Sequence, residues 1–159
     1  MMMKGTDAGV WLSAAAEVAR RFAWFPIAVF LFHEAAAHVF DLYRRWPPVD
    51  IPLHLAGGFA IAFFCSGAIV VLHRHELIAV RNRLVQLLLT FALICTAAVF
   101  WEFAEWAADH TIGTHCQISL DDTMLDLFCG VLGGSVFILP AILRASGQES
   151  ANIARGQHR

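Results

Sequence analysis

Four apolar runs, each about as long as a bilayer is thick, leave this chain few ways to fold. A hydrocarbon core about 30 Å thick takes roughly 20 helical residues to cross. Runs of that kind lie at Phe22–Tyr43, Ile51–Leu72, Leu84–Ala108 and Thr123–Leu143. In lipid every backbone N–H and C=O has to be satisfied internally, which a single run achieves only as a helix. The expected fold is therefore all-α, a polytopic membrane protein with four transmembrane helices. Ahead of them, Thr6 to Arg21 sets Val10, Trp11, Ala14, Ala15 and Val18 on one face above Glu17, Arg20 and Arg21, the pattern of a short N-terminal interfacial helix. Residues 1–21 are thus expected to form a cytoplasmic or interfacial segment, 22–144 the transmembrane domain and 145–159 a disordered cytoplasmic tail rich in Gly, Ser, Gln and Arg.

The loops set the orientation. Of the 11 Lys and Arg residues, only Arg44 and Arg45 fall between the first and second runs. The rest precede the first run, join the second to the third, or follow the fourth, so the positive-inside rule places both termini in the cytoplasm of a plasma (inner) membrane protein. A competing reading makes Phe22 to Phe32, followed by Ala35, Ala36 and Ala37, a cleaved secretory signal; the helical pattern continuing through Val39, Phe40 and Leu42 favours an uncleaved span. With a net charge of −2 and no basic stripe, the chain is not built for nucleic acid. Of four cysteines, Cys65, Cys95 and Cys129 lie in apolar runs and Cys116 in a polar loop, with no Cys-x-x-Cys spacing to signal a disulfide or a thiolate metal site.

Nearly every acidic or histidine side chain within or at the ends of the runs falls toward the outer face. Glu34, His38 and Asp41 form a helical stripe on the first run, Asp50 and His54 on the second, Glu102, Glu105 and Asp109 on the third, and Asp122 and Asp126 on the fourth. The last stripe continues into Gly130 and Gly134, a spacing that lets a neighbouring helix approach closely. Asp50, standing before Ile51-Pro52, and Asp122, three residues after Ser119, also suit helix caps. Asp41, Asp109 and Asp121 suit a solvated rim, and His33 falls on another face. Ionisable groups at membrane depth cost free energy unless paired, wetted or metal-bound. His54, Glu102, Glu105, Asp122 and Asp126 are therefore the candidate ligands of a divalent metal ion, with Glu34, His38 and Asp50 behind them. Carboxylate and imidazole favour Zn²⁺, Mn²⁺ or Fe²⁺ over Mg²⁺ or Ca²⁺.

Familiar signatures are missing. His33-Glu34 with His38 has five-residue spacing where a zinc protease helix needs four, and neither a nucleophile elbow nor a phosphate-binding loop occurs. The order Asp50-x-x-x-His54 with Gly57 and Gly58, Trp101-Glu102-x-x-Glu105-Trp106, and Asp121-Asp122-Thr123-x-x-Asp126 with Gly130 and Gly134 resembles the uncharacterised YjdF-like integral membrane family, over about half the chain. More distantly it is similar to VanZ-like proteins, a likeness that implies a cell-envelope role.

The leading functional expectation is a metal-dependent membrane hydrolase acting on a lipid or amphiphile head group at the outer face. Glu105 is its expected general base or acid, and Arg44 and Arg45 its head-group contacts. The partners implied are membrane lipids and, for a transport role, further copies of the chain as a homo-oligomer. The alternatives are a proton or divalent-cation transporter, which needs a polar route to the inner face, and a non-catalytic envelope assembly protein.

Overall fold

A computed structural model describes residues 8–156, with side chains as far as Ala141. All of its regular structure is helical: α1 (Ala8–Phe22), α2 (Trp24–His38), a single turn α3 (Leu42–Arg45), a 3₁₀ turn (Pro47–Val49), α4 (Asp50–Arg74), α5 (Arg83–Thr111) and α6 (Leu120–Gly156). Three stretches, Pro47–Arg74, Arg83–Thr111 and Leu120–Ala141, are long and apolar enough to cross a membrane. Their outer surfaces carry the side chains expected against lipid, among them Phe100, Phe103, Phe128 and Leu88.

The first expected span is shorter than the apolar run. Pro26 offers no N–H to the carbonyl of Phe22, and the helix is interrupted at Ala23, separating α1 from α2. At the other end α2 stops at His38, because Asp41 turns the chain through the left-handed region (φ 51°), which aspartate tolerates better than most residues. The 15 residues left in α2 extend only about 22 Å at 1.5 Å per residue. The expected tail also differs: the helical backbone of α6 continues to Gly156, through a segment that intersperses the helix formers Ala145, Ala151 and Ala154 among its polar residues. Residues 1–7 and 157–159 of the expected terminal segments lie outside the described residues.

Central α4 packs against α1, α2, α5 and α6. Glycines decide how close the neighbours come. A Cβ on Gly58 would overlap the carbonyl of Gly130 on α6, one on Gly133 would overlap the carbonyl of Leu55, and one on Gly134 would press on Ile94 of α5. The close approach expected from Gly130 and Gly134 therefore exists, and its tightest points are Gly58 and Gly133. Helix α2 runs antiparallel to α4. Phe22, just before it, covers Gly67, Phe25 meets Phe59 edge-on, and Ala36 packs with Val49 and Leu53.

Helix α1 uses part of its anticipated apolar face: Ala14 and Val18 are buried against Val71, Phe64, Ala68, Leu72 and Leu77, while Trp11 stays exposed. Its polar side is fastened by Glu17, whose carboxylate meets Arg74, His75 at 3.1 Å and Arg21 at 2.7 Å. Arg74 first, then His75 and Arg21, hold this carboxyl down at about 2, against an ordinary value of 4.5. A depressed carboxyl contributes stability that is whole above its ordinary value and is lost as pH falls toward its folded one. A nitroxide at Ser13 should therefore become more mobile as pH falls from 4.5 toward about 2. It should already be mobile at neutral pH in Glu17→Gln; immobility throughout in both proteins would refute the fastening.

Candidate metal centre

The antiparallel order of α4, α5 and α6 brings the start of α4, the last third of α5 and the start of α6 to one end of the bundle. Pro47 and Pro48 open the 3₁₀ turn that leads into α4, so Asp50 falls in the first helical turn and His54 one turn later. The backbone N–H of Asp50 closes the 3₁₀ turn on the carbonyl of Pro47, and its side-chain Oδ1 lies 3.2 Å from Nε2 of His54. From α6, Oδ1 of Asp126 reaches 3.6 Å from the same nitrogen. From α5, Glu102 and Glu105 sit one turn apart on the buried face. Asp126, Glu102 and Glu105 are 4%, 5% and 9% exposed, so three carboxylates are largely withdrawn from the surroundings within a few ångströms of one imidazole.

Two overlapping ligand sets result. Asp50, His54 and Asp126 can each offer one ligating atom with all three inside 4.8 Å of one another, and so can His54, Glu102 and Glu105. His54 belongs to both. Metal–oxygen and metal–nitrogen bonds of about 2.0–2.2 Å require only modest closure of such a cluster, and the mixture of one imidazole with several carboxylates suits zinc, manganese or iron chemistry.

Neighbours fix the carboxylates. The indole N–H of Trp101 donates to Glu105 Oε1 at 2.8 Å, and the amide of Gln117 donates to Glu102 Oε2 and to its backbone carbonyl, both at 3.1 Å. Gln117 is presented by the loop between α5 and α6, which Asp109 organises. The Asp109 carboxylate accepts from the Thr114 hydroxyl and from the backbone N–H groups of Cys116 and Gln117. Asp109 is thus a loop anchor rather than a merely solvated rim residue. The Trp101–Glu105 pairing was accessible from four-residue helical spacing; nothing local in the sequence marks Gln117.

Other candidates stand apart from this cluster among the described residues. Asp122 behaves as part of a cap: its N–H donates to Ser119 Oγ and its Oδ2 accepts from the N–H of Ile118, both at 3.2 Å. Glu34 and His38 face each other at 3.6 Å on an exposed part of α2. Arg44 pairs with Asp41, and Arg45 is exposed. His33 is closer to the centre than its helical position implied. Its Nδ1 is hydrogen-bonded to the Tyr43 hydroxyl at 2.7 Å, and its ring stands edge-on to Trp101 at 5.2 Å.

Below the cluster lies a chamber of about 360 Å³, within the range of small-molecule sites, between α2, α4, α5 and the Gly130 region of α6. His54 and His33 are the ionisable side chains of its wall; the remainder is apolar, from Leu53 and Gly57 on one side to Ile94 and Ala97 on another.

A sequence profile of the family described as "Predicted membrane protein (DUF2238)" matches residues 9–146. An uncharacterized protein of Thermotoga maritima is 30% identical over 112 residues, 67% of this chain and 53% of that protein. The chain thus spans about half the length of the curated relative it matches. Neither description names a VanZ-like protein. No solved structure matches the chain.

Proposed function

The chain belongs to the DUF2238 family of membrane proteins, and from that premise we propose that it is a metal-dependent hydrolase of a lipid or amphiphile head group, with its site at the outer boundary of a plasma (inner) membrane. The observation that carries the proposal is the sharing of His54 by two ligand sets, each with its atoms inside 4.8 Å. In this reading His54, Glu102 and Asp126, with Asp50, would hold one divalent ion, zinc, manganese or iron before magnesium or calcium, and Glu105 stays uncoordinated as the general base. Asp122 stays in its cap. We read α2, with the last turn of α1, as a fourth crossing, because it runs beside α4 from Gly67 to Val49. The positive-inside rule then puts both termini in the cytoplasm.

A bound ion would supply Lewis acidity toward an ester or phosphoryl oxygen and toward water. Glu105, oriented by Trp101, takes the proton of the attacking water and returns it to the departing alcohol as the ester or phosphoester bond breaks. Gln117 holds Glu102 in its ligating orientation. Arg44 and Arg45, exposed at the end of α3, draw in an anionic head group.

Inner-half hydroxyls argue against a transport path. Thr90 and Ser135 donate to the carbonyls of Gln86 and Val131 in their own helices, at 2.9 and 2.7 Å, so they do not extend the polar cluster inward.

The test is elemental analysis of the detergent-purified protein, followed by a hydrolysis assay on mixed phospholipids with and without added zinc. A metal-free protein with no metal-stimulated turnover would end the proposal. Glu105→Gln is expected to lower turnover by roughly 10²–10⁴-fold, as for a lost general base, while retaining more metal than Glu102→Gln. Gln117→Ala should weaken metal retention by roughly 10–100-fold, the usual effect of removing a hydrogen bond that orients a ligand. Equal retention in Gln117→Ala and the parent would show that the amide has no such role.

A further inference from the structure

We propose that the apolar chamber beneath His54 receives one hydrocarbon chain of a membrane lipid, entering sideways from the bilayer and leaving its head group at the metal centre. The inference rests on the hydrolase reading for the head group's fate and adds how the substrate is held.

The chamber's mouth is defined by residues that serve two roles. Ile27 and Phe30 of α2 line it, yet they are 53% and 47% exposed, so it opens toward the side of the bundle that faces hydrocarbon. Across the opening Phe30 meets Trp101 of α5 edge-on at 6.1 Å. A slot between two membrane helices is bathed by acyl chains, and its apolar wall offers water almost nothing to bind.

The size suits an acyl chain. Along α4 the wall runs from Leu53 to Ile61, about 12 Å at 1.5 Å per residue. With a volume of about 360 Å³ over that length, it has room for an extended hydrocarbon segment at carbon–carbon contact distances of about 4 Å.

Small residues make the room. A Cβ on Gly57 would meet nothing within 4 Å, and Ala97 lines the facing side on α5. Gly57 lies three residues after His54, one turn farther into the membrane on the same side of α4. A chain lying over Gly57 therefore ends at the imidazole, where the head group meets the cluster.

The experiment uses the full chain in liposomes of phosphatidylethanolamine and phosphatidylglycerol, doped with a phosphatidylethanolamine bearing a diazirine at the end of one acyl chain. After irradiation, labelled peptides are mapped by mass spectrometry. The expected result is labelling at chamber residues of α4 and α5, such as Ile61 and Ile94, that is largely lost in Gly57→Leu and in Ala97→Leu. These two variants narrow the chamber from opposite walls, and unchanged helical circular dichroism and elution volume confirm folding. Labelling confined to outward-facing residues such as Phe100 and Phe128, or undiminished in both folded variants, would overturn the inference. Metal content measured on the same samples reports separately on the hydrolase reading. Chamber labelling in a protein without metal upholds the bound chain and refutes the metal centre; metal without chamber labelling does the reverse.

Discussion

Under the proposed metal-dependent hydrolysis, replacing His54 with alanine is expected to strip the metal from the purified protein and abolish turnover, the largest functional effect of any single substitution. His54 is the nitrogen donor common to both ligand sets, so its loss opens both at once, whereas loss of Asp50, Glu102, Glu105 or Asp126 leaves one set whole. The remaining donors would all be carboxylate oxygens, a set that suits magnesium or calcium better than zinc. The drop in zinc affinity should exceed the roughly 10–100-fold that accompanies loss of an outer hydrogen-bond partner. His38→Ala is the matched control: its ring is exposed and faces only Glu34, at 3.6 Å. Elemental analysis should therefore find zinc in the parent and His38→Ala, and essentially none in His54→Ala. Zinc restored after chelation should return turnover to the first two alone. Equal zinc in His54→Ala and the parent would mean that the cluster is a hydrogen-bond network and not a metal centre.

Much of this arrangement was legible in the residues. Hydropathy over twenty-residue windows registers the cost of leaving backbone groups unpaired in lipid, a term large enough to override local propensity, so the long runs of α4, α5 and α6 appear directly. Antiparallel neighbours then place Asp50, His54, Glu102, Glu105 and Asp126 at one depth without any knowledge of packing. What the pattern lacks is rotation about each helix axis and the course of the loops. Asp122 and Asp50 both carry capping signatures, yet Asp122 caps while the Asp50 side chain lies along α4 against His54 at i,i+4 spacing, where Asp126 of α6 meets the same imidazole. Gln117 reaches Glu102 through a loop shaped by Asp109, a contact 15 residues apart with no periodicity to announce it. The end of α2 depends on one left-handed residue, Asp41, inside a run whose composition continues helical through Leu42. The chamber depends on the separation of α2 from α5, a quantity no single segment contains.

Gly58→Ala is expected to destabilise the bundle far more than Gly130→Ala, although the two glycines face each other in one contact. A Cβ at Gly58 would run into the backbone carbonyl of Gly130, and neither helix backbone can yield locally. A Cβ at Gly130 would instead point past α4, 3.5 Å from Ala98 Cβ and 4.0 Å from the carbonyl oxygen of His54, ordinary contact distances. The sequence spacing of Gly130 and Gly134 therefore located a close helix contact on α6 without naming its partner, and the tightest restriction falls instead on Gly58 and Gly133. Forcing α4 away from α6 is an overpacking change of about 1–3 kcal/mol or more, which at roughly 2–4 °C per kcal/mol for a chain of this size should be plain in a detergent melting curve. Gly133→Ala, aimed at the carbonyl of Leu55, should behave like Gly58→Ala, and Gly57→Ala, with open space beside it, like the parent. The same displacement should also reach the proposed metal centre, because Gly58 lies one turn inward of His54 and Gly130 one turn inward of Asp126. Separating the helices lengthens the 3.6 Å approach between those two side chains. Gly58→Ala should thus lose both melting temperature and metal, while Gly130→Ala keeps both. Melting temperatures that fall equally in the two variants would show that the α4–α6 contact is not governed by backbone approach at Gly58.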